Sequence, residues 1–276
     1  MMFVFGSMPV FRRAMVGCVW LALVAAVQIA AIGQQPKEAD SDLSVPAATL
    51  SSLRIQASES LRAGKLSLAT AAADAMITDY GDDVQAIAAA GDIYLRSGKV
   101  QKSVRQFDRL VNRQPSQMPY LWQRGIALYF AGKYDEAADQ FAKHRRVNPN
   151  DVENAAWHFL CIAKDQSPEK AKQMVLPAPG DGREPMNEVL AMLSSGDTQS
   201  VRARIDQVHR DSPGSRSAKE ATFYGELYLG LYADAWGDLA EAKARMDAAC
   251  RDTPPHYMGD VARVYAEHLR QSTVLP

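Results

Sequence analysis

Residues that carry catalysis or hold metals are scarce in this sequence, and their spacing fits neither task. The 276 residues include five histidines and three cysteines. No two histidines stand three or four residues apart, and there is no CxxC pair, phosphate-binding loop, GxSxG, HExxH or EF-hand loop. We therefore predict that the protein is not an enzyme and uses no cofactor and no metal. Cys161 and Cys250 could pair in an oxidising compartment, but two single buried thiols are the favoured interpretation.

Concentrated charge of either sign is also lacking. The chain has 31 basic and 32 acidic side chains, which gives a formal net charge of −1. Neither sign forms a block or a tail. Binding to a nucleic-acid backbone depends on clustered lysine and arginine, so we predict no nucleic-acid partner.

One long apolar run is present, and it lies near the N-terminus. Residues 14–32 carry no charge and directly follow Arg12 and Arg13. A basic start and an apolar run are typical of a secretion signal, here residues 1–33 with cleavage before Gln34. The alternative is an uncleaved anchor, because about 20 apolar residues span a bilayer. Either way we predict a periplasmic or secreted protein whose only membrane contact is this segment, followed by a flexible linker over residues 34–49.

The remainder of the chain is organised by a motif that returns every 34 residues. Its most regular copy spans residues 118–151 and has a helix glycine, a turn glycine, an alanine and a phenylalanine on a second helix, and a closing proline: Gly125, Gly132, Ala137, Phe141 and Pro149. The preceding copy matches at Gly91, Gly98, Phe107 and Pro115, and the one before keeps the turn glycine Gly64. Small residues let two helices approach, whereas turn glycine and proline end them, so the motif predicts consecutive helix pairs.

This motif resembles the tetratricopeptide repeat (TPR), which implies an all-α fold, a right-handed α-solenoid. We predict about six helix pairs over residues 50–271. The units lie near residues 50–83, 84–117, 118–151, 152–181, 182–215 and 218–256, with a C-terminal capping helix over 257–271. In the sixth unit Gly225 and Ala242 fit, but the turn glycine Gly237 lies 12 residues after Gly225, where earlier units use 7. We therefore expect an insertion of five residues within Leu229–Trp236.

In TPR proteins the first helix of each pair lines a concave groove, and the resemblance places the exposed groove positions on three helices. These positions combine apolar and aromatic anchors with charges: Arg54, Arg62, Asp92, Arg96, Trp122, Ile126, Tyr129 and Phe130. The lysine and asparagine clamp of carboxylate-binding TPR co-chaperones is missing from them. Such a surface suits a peptide or helix with apolar anchors and some acid. The alternative is that Trp122 and Tyr129 pack between units.

A second aromatic stripe lies in the sixth unit. Tyr224, Tyr228 and Tyr232 are spaced by four residues, which puts them on one face of a helix. Core packing is the default interpretation of this stripe. The alternative is a self-association face that makes a homodimer.

The last unit reads FYGELYLG and GDLAEAKARM before its capping helix, and it is similar to NlpI-type periplasmic TPR adaptors of bacteria. Those are lipoprotein scaffolds that bring proteases and peptidoglycan hydrolases together, often as dimers. The resemblance implies a noncatalytic scaffold or adaptor in the cell envelope, whose partners are proteins or peptides such as envelope proteases or cell-wall enzymes. The alternative function is a structural TPR protein that self-associates through its tyrosine face.

Overall fold

The computed structural model describes residues 48–251 and 256–271, and every regular element in these two ranges is a helix. The helices are α1 (Leu50–Arg62), α2 (Leu66–Tyr80), α3 (Val84–Arg96), α4 (Val100–Arg113), a 3-10 helix (Pro115–Tyr120), α5 (Trp122–Phe130), α6 (Tyr134–His144), α7 (Val152–Asp165), α8 (Pro168–Gln173), α9 (Met186–Ser195), α10 (Thr198–Asp211), α11 (Arg216–Ala235), α12 (Leu239–Arg251) and α13 (Tyr257–Gln271). The predicted all-α fold is confirmed. The predicted signal or anchor and nearly all of the predicted linker lie outside the described residues.

The helices from α1 to α12 form six successive pairs, and α13 follows as a single helix. Within each pair the two helices pack on each other, and the second helix also contacts the first helix of the next pair. The main hydrophobic core consequently runs along the chain from Ile87 in α3 to Leu269 in α13, while a smaller core joins α1, α2 and α3. This arrangement is the series of helix pairs that the 34-residue motif predicts.

The motif residues take the structural parts that the sequence assigns to them. The turn glycines Gly64, Gly98 and Gly132 have φ values of 67°, 70° and 75°, in the left-handed region that disfavours a side chain. Gly125 sits where α5 and α6 approach, since a Cβ there would lie only 2.6 Å from Cζ of Phe141. The other motif residues are buried or break helices: Gly91, Phe107 and Ala137 are buried, Pro115 begins the 3-10 helix, and Pro149 lies between α6 and α7.

The sixth pair corrects the predicted insertion. A Cβ at Gly230 would lie 3.2 Å from Cε of Met246 in α12, so Gly230 is the close-approach glycine of this pair. Gly230 precedes Gly237 by seven residues and the fully buried Ala242 by twelve, as Gly125 precedes Gly132 and Ala137. Gly225 instead faces Ile205 of α10, in the preceding pair. The expected insertion within Leu229–Trp236 is wrong, because the additional residues lengthen α11 at its N-terminal end to 20 residues.

The third pair also begins later than its motif copy. Residues 115–120 form a 3-10 helix, and α5 starts only at Trp122. Proline at 115 and 119 explains the difference, because each ring lacks an N–H and disfavours the α conformation in the residue before it. The first helix of this pair is therefore nine residues long.

Both described cysteines are single thiols. Cys161 is fully buried in α7, Cys250 is partly buried in α12, and the two are free. Burial raises the pKa of both thiols, which disfavours the reactive thiolate. The structure therefore agrees with the favoured interpretation of two unpaired cysteines.

The central helix α7 contains a histidine that makes stability sensitive to acid. His158 is only 5% exposed, and burial lowers its pKa to about 4 from 6.5. The folded protein keeps this ring neutral, whereas the unfolded chain binds a proton below about pH 6.5. The stability that His158 contributes is therefore complete above pH 6.5 and is lost progressively as pH falls toward 4.

We expect this histidine to account for about 2 kcal/mol of lost unfolding free energy between pH 7 and pH 5. Urea denaturation at the two pH values, on the wild type and on His158→Gln, measures the contribution as the difference between their pH dependences. His209→Gln is the matched control, because His209 is exposed. A pH dependence in His158→Gln equal to that of the wild type would show that the pKa of His158 is the same in the folded and the unfolded protein.

Candidate protein-binding groove

One face of the array is built from the first helices of successive pairs, and α13 lies on it. The Arg96 guanidinium in α3 is 2.7 Å from the Asp260 carboxylate in α13. The rings of Trp122 in α5 and Tyr257 in α13 meet edge to face with centroids 4.7 Å apart. Further along, Tyr265 contacts α7 through Trp157, at 5.8 Å between ring centroids. The predicted cap therefore folds back into the groove as well as packing on α12.

A buried carboxylate fixes the middle of α13. Asp234, at the end of α11, accepts hydrogen bonds from the hydroxyls of Tyr265 at 2.7 Å and Tyr129 at 2.8 Å. Its second oxygen is 2.7 Å from Nζ of Lys164. Burial, together with the negative charge of Asp234, raises the pKa of both tyrosines far above the usual value, so the hydroxyls remain protonated donors. This network joins α5, α7, α11 and α13 at one point.

The four predicted anchors of the groove lie under α13 and are not exposed. Ile126, Tyr129 and Phe130 are 0%, 1% and 8% exposed, and Trp122 is partly buried against Tyr257. The expectation that these side chains face solvent is therefore wrong. The sequence alternative, packing of Trp122 and Tyr129 inside the protein, describes them better, although the covering element is the chain's own last helix.

The N-terminal part of the same face remains open. Between α1 and α3 lies a groove of about 400 Å³, and its walls are polar side chains from both helices with small or apolar residues between them: Arg54, Ser58, Leu61, Gln85, Ala88, Ala89, Asp92, Ile93 and Arg96. Arg54 is exposed, and so is Arg62, which hydrogen bonds to Ser58. The structure thus brings together the charged residues of the predicted site and separates them from the aromatic ones.

Arg96 stands at the boundary between the open and covered parts. Its guanidinium lines the open groove, pairs with Asp92 at 3.4 Å within α3, and pairs with Asp260 of α13. The same guanidinium also lies over the ring of Tyr257, 5.0 Å from its centroid. Any ligand of the open groove that reaches Arg96 meets the group that holds the start of α13.

A second cavity lies at the start of α13. It measures about 240 Å³ and has mainly aromatic and apolar walls, among them Trp122, Ile126, Phe141, Trp157, Tyr224 and Tyr257. Three buried polar atoms belong to its lining residues and have no hydrogen-bond partner within the described chain: Nε1 of Trp157, Oδ1 of Asn154 and Nε2 of His256. Polar atoms buried in this way normally have a partner.

The tyrosine stripe of α11 is part of the interior. Tyr228 is 0% exposed and donates a hydrogen bond of 2.6 Å to Glu153 of α7. Tyr232 is 8% exposed and stacks on Phe159, and Tyr224 is partly buried under the guanidinium of Arg183. The core interpretation holds, and the stripe does not offer the free face that the self-association alternative needs.

Comparison with protein families agrees with this arrangement of helix pairs over part of the chain. The family model described as tetratricopeptide repeat matches residues 88–152. Residues 88–152 are therefore similar to tetratricopeptide repeats. A solved structure of a tetratricopeptide repeat protein from Parabacteroides merdae is also similar, with 15% identity, a TM-score of 0.45, and coverage of 83% of this chain and 87% of that one. The TPR match contains α4, α5 and α6 entirely and includes most of α3.

The described residues also bear on two other kinds of site. Within residues 48–251 and 256–271, no three His, Cys, Asp or Glu side chains are grouped so as to hold a metal ion. No helix in the same ranges is both long and apolar enough to cross a membrane.

Proposed function

We propose that this TPR protein is a noncatalytic adaptor of the cell envelope that binds an acidic peptide segment of a partner protein in the open groove between α1 and α3. TPR arrays serve as protein-interaction scaffolds, which supports binding as the general function. The observation that carries the specific proposal is the open, polar groove with Arg54 exposed in its wall.

The charges of the groove favour an acidic partner. Arg96 already has Asp92 and Asp260 as counter-ions. Arg54 and Arg62 on α1 are exposed and make the charge of the groove positive. Such residues attract an acidic segment during encounter and then pair with its carboxylates. Ala88 and Ala89 leave room for the backbone of an extended segment.

The proposal also includes an envelope location and partners among envelope enzymes. The basic start and apolar run of residues 1–33 support export, and the similarity of the last unit to NlpI-type adaptors supports partners among envelope proteases or cell-wall enzymes. The tyrosine face is buried, so self-association through it has less support than partner binding.

Affinity capture from envelope extract tests the adaptor. We expect the wild-type chain to retain a partner protein that Arg54→Glu retains at least about tenfold less, because reversing one charge in a binding groove costs about 1.4 kcal/mol or more. Arg146→Glu is the matched control, since Arg146 is an exposed arginine beyond the end of α6 and away from the groove. Equal retention by all three folded proteins would place the binding surface elsewhere.

A further inference from the structure

We propose that a partner protein can displace α13 from the groove, and that the displacing segment is an amphipathic helix. This helix carries an aromatic residue, an acidic residue three positions after it, and a second aromatic residue eight positions after the first. The pattern is that of Tyr257, Asp260 and Tyr265, the residues by which α13 is held. This inference rests on the proposed adaptor function and extends its binding surface from α1 to α11.

The first support is that α13 fills the groove incompletely. The cavity of about 240 Å³ lies beside its first turn. Another cavity, of about 180 Å³, lies beside its last turns, where Val264 and His268 face Val100 and Phe130. Protein interiors are normally close-packed, and side chains that border empty space lose contact energy. A helix with larger side chains at these two ends would make contacts that α13 does not make.

The second support is the chemistry of the larger cavity. Two of its lining residues lie on α7 and keep an unpartnered buried polar atom, Nε1 of Trp157 and Oδ1 of Asn154. The side-chain nitrogen of Asn154 donates to the carbonyl of Phe141, which leaves its oxygen as the acceptor facing no partner. A polar aromatic side chain of a partner helix can occupy such a space and satisfy buried groups that α13 leaves unpaired.

The third support is that removal of α13 leaves neither Asp234 nor Arg96 without a partner of opposite charge. Asp234 would lose Tyr265 but keep the hydroxyl of Tyr129 and the ammonium of Lys164. Arg96 would lose Asp260 but keep Asp92. The groove therefore keeps its buried ions paired in the open state, and what an incoming helix must replace is chiefly apolar contact.

The fourth support is that the two parts of the groove share Arg96. An acidic partner bound between α1 and α3 can reach the guanidinium that Asp260 now holds. Competition for this group weakens the hold on the start of α13 and couples partner binding in the open groove to exposure of the covered one. The two events are coupled because the guanidinium of Arg96 pairs either with Asp260 or with a carboxylate of the partner.

Hydrogen exchange on the full chain tests whether α13 can leave. In the variant Asp260→Asn with Tyr265→Phe, the amides of α13 should exchange at least about tenfold faster than in the wild type, while those of α3 and α7 stay protected, because two charge-assisted hydrogen bonds are lost without a change of shape. Glu267→Gln, on the exposed face of α13, is the control and should leave exchange unchanged. Equal exchange of α13 and α7 in every variant would overturn the proposal.

A labelled synthetic peptide of residues 256–271 tests whether the groove accepts a helix in trans. We expect it to bind the full-length double variant at least about tenfold more tightly than the wild type, in which α13 competes. A peptide carrying Met258→Trp should bind more tightly than its parent, since Met258 borders the larger cavity. Absence of both gains would overturn the proposal. If a partner is captured through Arg54 but α13 is never released, the adaptor function stands and this inference fails. If α13 is released but no partner is captured, this inference stands and the adaptor function fails.

Discussion

Replacing Trp157 with alanine is expected to lower the free energy of unfolding by about 3–5 kcal/mol, the range for deleting a buried aromatic side chain. The indole is 1% exposed and sits between three elements, with ring centroids 5.6 Å from Tyr129, 6.4 Å from Phe141 and 5.8 Å from Tyr265. The cavity of about 240 Å³ already adjoins it, so removal of the indole would enlarge a space that is not filled. Guanidinium denaturation followed by far-UV circular dichroism measures the change.

Trp236→Ala provides the control for this prediction. Trp236 follows α11 and is 42% exposed, and its ring contact is with Tyr232 alone among the described aromatic pairs. Loss of this indole should change the free energy of unfolding by no more than about 1 kcal/mol. Similar losses in the two variants would mean that Trp157 is not a central packing residue of the folded protein.

Gly125→Ala is expected to destabilise the protein by about 3 kcal/mol, at the upper end of the usual cost of overpacking. The new methyl would lie 2.6 Å from Cζ of Phe141 and 2.9 Å from two other carbons of its ring. Phe141 is 1% exposed, so its ring has no solvent side into which it can move. α5 and α6 would have to separate, and the free energy of unfolding in guanidinium reports the cost.

The preceding repeat offers a matched comparison for the glycine. A methyl at Gly91 would approach Phe107 only to 3.1 Å, and alanine is the better helix former by about 1 kcal/mol. Gly91→Ala should therefore cost much less than Gly125→Ala. Phe141→Leu should in turn recover part of the loss when combined with Gly125→Ala, which a double-mutant cycle detects. Strict additivity of these two substitutions would contradict direct contact between residues 125 and 141.

The helix pairs could be predicted because each depends on residues close in the sequence. A close-approach glycine, a turn glycine seven positions after it and a bulky residue 16 positions after it specify one helix pair, as Gly125, Gly132 and Phe141 do. The first helix of the sixth pair contains two glycines, and the sequence prediction takes Gly225 where the structure has Gly230 as the close-approach residue. Met246 takes the place of phenylalanine opposite Gly230, and a flexible thioether gives no such signal in a sequence.

The covered groove could not be predicted, because it depends on contacts between residues far apart in the chain. Arg96 and Asp260 are separated by 164 positions, and Tyr129 and Asp234 by 105. An amphipathic last helix is equally compatible with sealing the end of an array and with folding back along it. One signal was available, since Asp234 is an acid in the otherwise apolar stretch from Leu227 to Ala235 and buried acids require partners.

The contact between Arg96 and Asp260 also changes how the array should come apart. In an open repeat protein each unit touches only its neighbours, so units can unfold and refold one after another from either end. Here the last helix is fastened to the second pair, and the helices from α3 to α13 form a closed circuit of packing contacts. While α13 occupies the groove, the helices of this circuit support one another and should melt in a single cooperative step, whereas release of α13 opens the circuit and lets the pairs from α3 to α12 unfold one after another. The pair α1 and α2 lies outside the circuit and shares a small core with α3 alone, so it is the segment free to unfold separately.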